Sequence, residues 1–270
     1  MVGDPGMDPP SALLYSRHPA PAGSSDPRLP SPNGRFRLDD LDMGAWRLNL
    51  PTIEASLRAV QTDFARINQT LDTPRDAMTD EVRDNLLAGY RLVDEALANR
   101  LNPFALGHSE WLLELNRLVL CGADPEKRQE FAAHLESTER YFYERDGAGI
   151  GVLMEWLQRH QDDDVWYRAA GAYIQILRRP QLYIEGNHRT GVLIMSYMLA
   201  REGQPPFVLS VANAKAYFDP SSLVKDSKKY SLNMLFGLPK LKKCFAQLLK
   251  ENGSQGYLLP VFRVGTPSPA

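Results

Sequence analysis

Glu185-Gly186-Asn187-His188-Arg189-Thr190-Gly191 joins two apolar stretches of helical spacing, and its reading decides the fold. On its N-terminal side, Trp166 to Leu177 spaces Tyr173, Ile176 and Leu177 among Ala169, Ala170 and Ala172. No proline occurs there until Pro180, which predicts a helix ending near Arg179. On its C-terminal side Val192, Leu193, Ile194, Met195, Met198 and Leu199 fill a second helix that closes at Gly203, where Pro205 and Pro206 block continuation. A helix apolar on nearly every face belongs at the centre of a domain.

The turn delivers Gly186, Asn187 and His188 to the first turn of that core helix. Unpaired amide hydrogens and the helix dipole favour an anion there by about 0.3–1 kcal/mol at exposed sites. Glycine permits close backbone approach. Arg189 offers a bidentate, charge-assisted contact to phosphate, and Glu185 a hard oxygen of the kind Mg²⁺ takes alongside nucleotide oxygens. A competing reading is an ordinary helix entry, with Asn187 as its N-cap and Glu185 paired to Arg189.

The segment resembles the signature of the Fic (Fic/Doc) family, His-Pro-Phe-x-Asp/Glu-Gly-Asn-Gly/Lys-Arg-x-x-Arg, which lies between two central helices of an all-helical domain. The resemblance extends from about Leu112 to Gly203: Arg140 to Glu144 falls where the family has a substrate-aligning hairpin, and Gly151 to Leu157 is similar to the helix after it. It implies a Fic-like, mainly α domain with a short β-hairpin flap that binds Mg²⁺ and a nucleotide di- or triphosphate. Most members of the family transfer AMP to a protein hydroxyl. By that resemblance Glu185 is the metal ligand, Gly186 and Asn187 form the anion cradle, Arg189 contacts phosphate, and His188 stands where the family has Gly or Lys.

The departures bear on chemistry. Gln181 occupies the position of the family's catalytic histidine, Leu182 that of its proline, Tyr183 that of its phenylalanine, and Val192 that of its second arginine. A carboxamide does not accept a proton near neutral pH, so general-base catalysis, about 10²–10⁴ in rate, is lost unless another group supplies it. Three functions follow as expectations: a variant AMP or phosphoryl transferase acting on a protein hydroxyl, a catalytically silent nucleotide sensor, and a protein-interaction scaffold. The family's inhibitory helix is approached only by Phe64 to Gln69, where Phe64 and Asn68 stand in place of the hydroxyl residue and the glutamate, so a glutamate latch is not expected. His134 and His160 lie in charged helical stretches and Tyr183 in a packing position, so none of them is assigned as the base.

Composition is compatible with this and narrows the partners. The 270 residues carry 43% hydrophobic content and a net charge of −2, which excludes nonspecific nucleic-acid binding through bulk charge. No apolar run approaches the ~18–20 residues of a membrane span, and the expected location is the cytoplasm, with nonclassical secretion into a host cell left open. Two cysteines, Cys121 and Cys244, read as buried thiols rather than as a metal cluster or a disulfide framework.

The first 34 residues hold eight of the 20 prolines and little periodicity, so residues 1–37 are expected to form a disordered tail, in which Leu13-Leu14-Tyr15 is the single apolar cluster. The Fic-like domain is assigned to 38–218 and a C-terminal helical extension with its tail to 219–270. Thr52 to Leu71 predicts a first helix after Pro51, and Thr79 caps a second whose Val82, Leu86, Tyr90, Val93 and Leu97 share a face. Ser109 starts a third that ends at Gly122, and Pro125 a shorter one to about Thr138; the alternation Tyr141-Phe142-Tyr143 suits a small hairpin strand. Pro239 opens a last helix carrying Leu241, Cys244, Phe245, Leu248 and Leu249, and Gly256 to Val264 reads as a strand.

Overall fold

The computed structural model describes residues 45–144, 149–225 and 232–261. The tail at 1–37, with Leu13-Leu14-Tyr15, lies outside the described residues, as do the positions after Val261 in the expected final strand.

Three of the predicted helices start on a capping side chain, while Ser109 makes no side-chain cap at the start of the third helix in the chain. Helix α1 (Leu50–Asn68) begins on Asn49, whose side chain accepts from Thr52 N–H, with Pro51 in the first turn where a missing N–H costs nothing. Helix α2 (Asp80–Ala98) is capped by Thr79 accepting from Val82 N–H, and Asp80 and Glu81 face the positive end of its dipole. Helix α3 (Glu110–Cys121) stops at Gly122. Helix α7 (Val165–Leu177) starts on Asp164, which accepts from Trp166 N–H.

Helix α8 (Asn187–Arg201) is the axis of the molecule, buried at Asn187 and from Thr190 through Ala200. Helices α2, α3 and α7 pack around it and α1 lies outside α2. The all-round burial expected from its composition is therefore observed. At its far end the backbone turns at Gly203 with φ +72°, and a Cβ there would sit 2.9 Å from the Trp46 ring, so the position needs glycine on both counts.

Helices α4 (Pro125–Glu130), α5 (Ala132–Phe142) and α6 (Gly149–Arg159) form an outer layer, followed after α8 by α9 (Ala214–Lys225) and α10 (Leu232–Asn252), which packs on α7. The stretch read as one helix from Pro125 to Thr138 is two, broken at Phe131. The helix expected to open at Pro239 begins earlier and carries that proline inside it.

The fold is mainly α with a two-stranded antiparallel sheet, but the strands are not where the aromatic alternation put them. Tyr141 and Phe142 end α5: Thr138 and Phe142, four residues apart, both point inward, and Phe142 stacks on Tyr183 with ring centroids 5.5 Å apart. Burial at helical spacing overrides the period-2 reading of that triplet. The sheet is made instead by β1 (Ala45–Leu48) and β2 (Leu258–Val261), in register Ala45↔Val261 to Leu48↔Leu258. It is fastened to α2, where Asp94 accepts from Leu48 N–H at 2.7 Å and from Arg47 Nε at 2.9 Å. Cys121 is buried as expected, whereas Cys244 is exposed because Phe245, Ala246 and Leu249 take the inward face of α10.

Candidate functional site

The turn from Gln181 to Gly186 is stitched inward by its side chains. Asn187 accepts from Tyr183 N–H at 2.9 Å and donates to the Tyr183 carbonyl at 2.7 Å, so one amide side chain closes the loop on itself. Its Nδ2 also lies 3.4 Å from Gln181 Oε1, while Gln181 Nε2 donates to the Leu177 carbonyl at 3.1 Å. Gln181 thus ties the end of α7 to the start of α8. Leu182 N–H bonds to the Ile176 carbonyl, and Tyr183 donates its hydroxyl to the Leu112 carbonyl at 3.0 Å. Burial pushes the Tyr183 phenol far above its usual range, so it is a core group and no proton acceptor near neutral pH.

From the other side comes Asn116 of α3, only 1% exposed, which donates to the Glu185 carbonyl at 2.9 Å and to Thr190 Oγ1 at 3.0 Å. Sequence reasoning missed this residue. The signal for it was a lone amide on the buried, leucine-rich face of a helix, a place where polar side chains occur only with partners.

Gly186 is the residue that starts α8, with φ +74° and ψ 5°, and the chain turns helical at Asn187. A left-handed residue followed by a right-handed one turns successive amide hydrogens toward a common point, a concavity that suits an anion. Thr190 N–H bonds back to the Gly186 carbonyl, but among the described residues the N–H groups of Gly186, Asn187 and Arg189 meet no acceptor. The competing reading of this turn fails in both its parts. Gly186 holds the capping position, and the Asn187 side chain is spent on Tyr183.

Arg189 is half-buried and donates from Nη1 to the Val119 carbonyl near the end of α3, at 2.8 Å. Burial lowers its pKa, opposed by the fields of Glu185 and Glu81. Among the described residues no carboxylate lies within ion-pair distance of it, and Glu185 is exposed to solvent rather than paired to it. A guanidinium that has given up water without a carboxylate at ion-pair distance favours an incoming anion.

His188, also half-buried, has Nδ1 3.0 Å from the hydroxyl of the fully buried Tyr173. Val192 is buried and brings no charge. The other imidazoles considered from sequence are elsewhere: His160 contacts the Trp156 carbonyl and stacks on that indole, and His134 sits on α5. Asn68, near the end of α1, exchanges two hydrogen bonds with the Arg75 backbone.

Among the described residues no three His, Cys, Asp or Glu side chains gather as a metal group. Glu185 alone does not make a resident site. One exposed carboxylate does fit Mg²⁺ that arrives already held by phosphate oxygens and keeps several waters. No protein-family model, curated protein or solved structure matches the chain.

Proposed function

We propose that the start of α8 binds the phosphate groups of a nucleotide or a related compound together with Mg²⁺, as the resemblance to the Fic family implies. The observation that carries the reading is Arg189, half-buried without a carboxylate partner among the described residues, beside a left-handed Gly186. In this reading Gly186 and Asn187 supply amide hydrogens, Arg189 and His188 contact phosphate, and Glu185 adds one oxygen to the magnesium ion. Mg²⁺ supplies charge neutralisation of the phosphates when bound; the chain's own part is to orient them.

Binding without AMP transfer is the form of this reading that the geometry favours. Gln181 is hydrogen-bonded at both ends of its carboxamide, to Leu177 and Asn187, and offers no basic atom. Titration calorimetry with Mg²⁺ and a panel of nucleoside mono-, di- and triphosphates tests it. Binding of at least one member, weakened tenfold or more by Arg189→Ala and less by Glu185→Ala, is expected. No heat with any member, in a chain whose circular dichroism is intact, rejects the proposal and leaves a protein-interaction scaffold.

A second reading, a variant transferase acting on a protein hydroxyl, is kept alive by His188, the one imidazole in the turn. Incubation with labelled ATP and cell protein separates the two: product that disappears in Glu185→Ala and His188→Ala favours transfer. If wild type is silent and Gln181→His gains activity, the cradle is intact and lacks only its base.

A further inference from the structure

Among the lysines whose side chains are described, some are engaged by carboxylates of the chain itself, and those that are not share one face of α10. Lys127 pairs with Glu81, Lys215 with Asp72 and Asp219, and Lys242 with Asp163. Lys242 belongs to α10, yet its ammonium is turned onto the body, 5.7 Å from the centre of the Trp156 ring and 5.4 Å from that of Tyr167. Lys240, Lys243 and Lys250 are exposed, and no carboxylate of the described residues lies within ion-pair distance of any of them.

Helical spacing defines the face. Phe245, Ala246 and Leu249 are buried, which turns Lys240, Lys243, Cys244, Gln247, Lys250 and Glu251 outward at steps of three and four residues. The lone carboxylate of that strip, Glu251, accepts from Gln247 Nε2 at 2.6 Å. The strip is therefore cationic on a chain whose net charge is −2. At a rise of 1.5 Å per residue, its lysines span about 15 Å.

The side chains of the strip select among anionic partners. A helix that enters a bilayer surface does so with its apolar face, and that face of α10 is already packed on α7. Nucleic acid is gripped by arginine forks and aromatic stacking as well as by lysine, and the strip has neither. A docked partner helix needs apolar anchors, which are equally missing. Carboxylates on an extended segment need only the charges, and about five residues of extended chain cover the ~15 Å.

We propose that the outward face of α10 docks a short acidic segment of a partner protein through Lys240, Lys243 and Lys250. Each exposed charge pair raises affinity about 1.5- to 5-fold, so three together give about 3- to 100-fold over a neutral segment of the same length. The contact is transient and weakens with salt. None of these lysines belongs to the turn at Gly186, and docking here does not depend on what that turn binds.

Cys244 reports on the strip from within, because it is exposed while Cys121 is buried. In the full chain at low salt, a capped hexaglutamate peptide is expected to slow alkylation of Cys244 by neutral iodoacetamide, and hexaglutamine is not. Reversing the strip with Lys240→Glu, Lys243→Glu and Lys250→Glu together is expected to weaken the peptide tenfold or more in calorimetry. The same charge change made at Arg58, Arg66 and Arg159, which are exposed and paired within their own helices, is expected to weaken it less than threefold. Absence of protection in wild type overturns the proposal, as do equal losses in the two triple variants, which would mean attraction to the overall charge alone. Tighter binding of wild type to phosphatidylserine vesicles or to duplex DNA than to hexaglutamate overturns the choice of partner. Should the reversed strip fail to fold, Lys→Gln at the same three positions decides, with loss of protection expected and unchanged protection contrary to the proposal.

Discussion

Replacing Gly186 by alanine probes the turn at the point where geometry and proposed function coincide. An L-residue at φ +74° costs about 1–2 kcal/mol for the left-handed backbone alone. Its Cβ would lie 2.9 Å from Asn116 Nδ2 and 3.3 Å from Val119 Cγ1 and Leu120 Cδ2. Asn116 is not a flexible end that swings away, because it is buried and bonded to both Glu185 and Thr190. Moving it sacrifices one of those bonds, about 1 kcal/mol more. The sum is about 2–3 kcal/mol, and at roughly 2–4 °C per kcal/mol for a chain of this size it lowers the midpoint by about 4–12 °C.

Gly107 provides the control. Its φ is +85°, and a Cβ there would meet nothing within 4 Å. Gly107→Ala therefore carries the backbone cost without the collision and is expected to lose only about 1–2 kcal/mol. Urea denaturation of both variants gives the difference directly, and removing the Asn116 side chain in a Gly186→Ala background should reduce it. Equal losses for the two glycines would refute the collision, and no loss at Gly186 would refute the left-handed turn itself. In the folded fraction of Gly186→Ala, phosphate binding should fall further than stability does, because the methyl disturbs the path of the amides.

Asn187→Ala orphans the Tyr183 N–H and carbonyl, both buried, and is expected to cost about 2–4 kcal/mol in urea denaturation. Phe142→Ala removes a ring stacked on Tyr183 and should cost about 3–5 kcal/mol; a loss under 1 kcal/mol would mean that the end of α5 is not packed there. The Asp80 carboxyl is held below its usual range by hydrogen bonds from Gln61 and Arg83. A lowered folded-state pKa stabilises above the unfolded value and that contribution is lost on acidification, so the stability gap between wild type and Asp80→Asn should close as the pH falls below about 4. A gap that widens in acid would contradict that arrangement.

The central helices were legible in the sequence because their signals are local. Capping residues, glycine stops and 3.6-residue periodicity identify α2, α7 and α8 within a residue or two. The sheet was only half legible. The second strand follows from its residues, but its partner Ala45–Leu48 pairs with it across most of the chain, and no local pattern announces a neighbour that remote. Tyr141-Phe142-Tyr143 failed for a related reason: the triplet alternates as a strand would, and what decides its state is the Phe142 contact with Tyr183, far away in sequence. At the candidate site, the glycine turn and the basic side chain could be read from residue types. The inward ties of Gln181 and Asn187, and the part played by Asn116, depend on which way side chains point, which spacing alone does not fix.

The pairing of β1 with β2 places Ala45 and Val261, the first and last described residues, side by side. Residues directly opposite in an antiparallel pair have Cα atoms about 4.5–5.5 Å apart, so a few glycines bridge Ala45 and Val261 without strain. A circularly permuted chain could then be opened between α2 and α3, at the surface loop where Leu106 is fully exposed. Such a chain would turn the sheet, a pairing that ordinarily spans Ala45 to Val261, into a hairpin between neighbours, and should fold faster while leaving the Gly186 turn untouched.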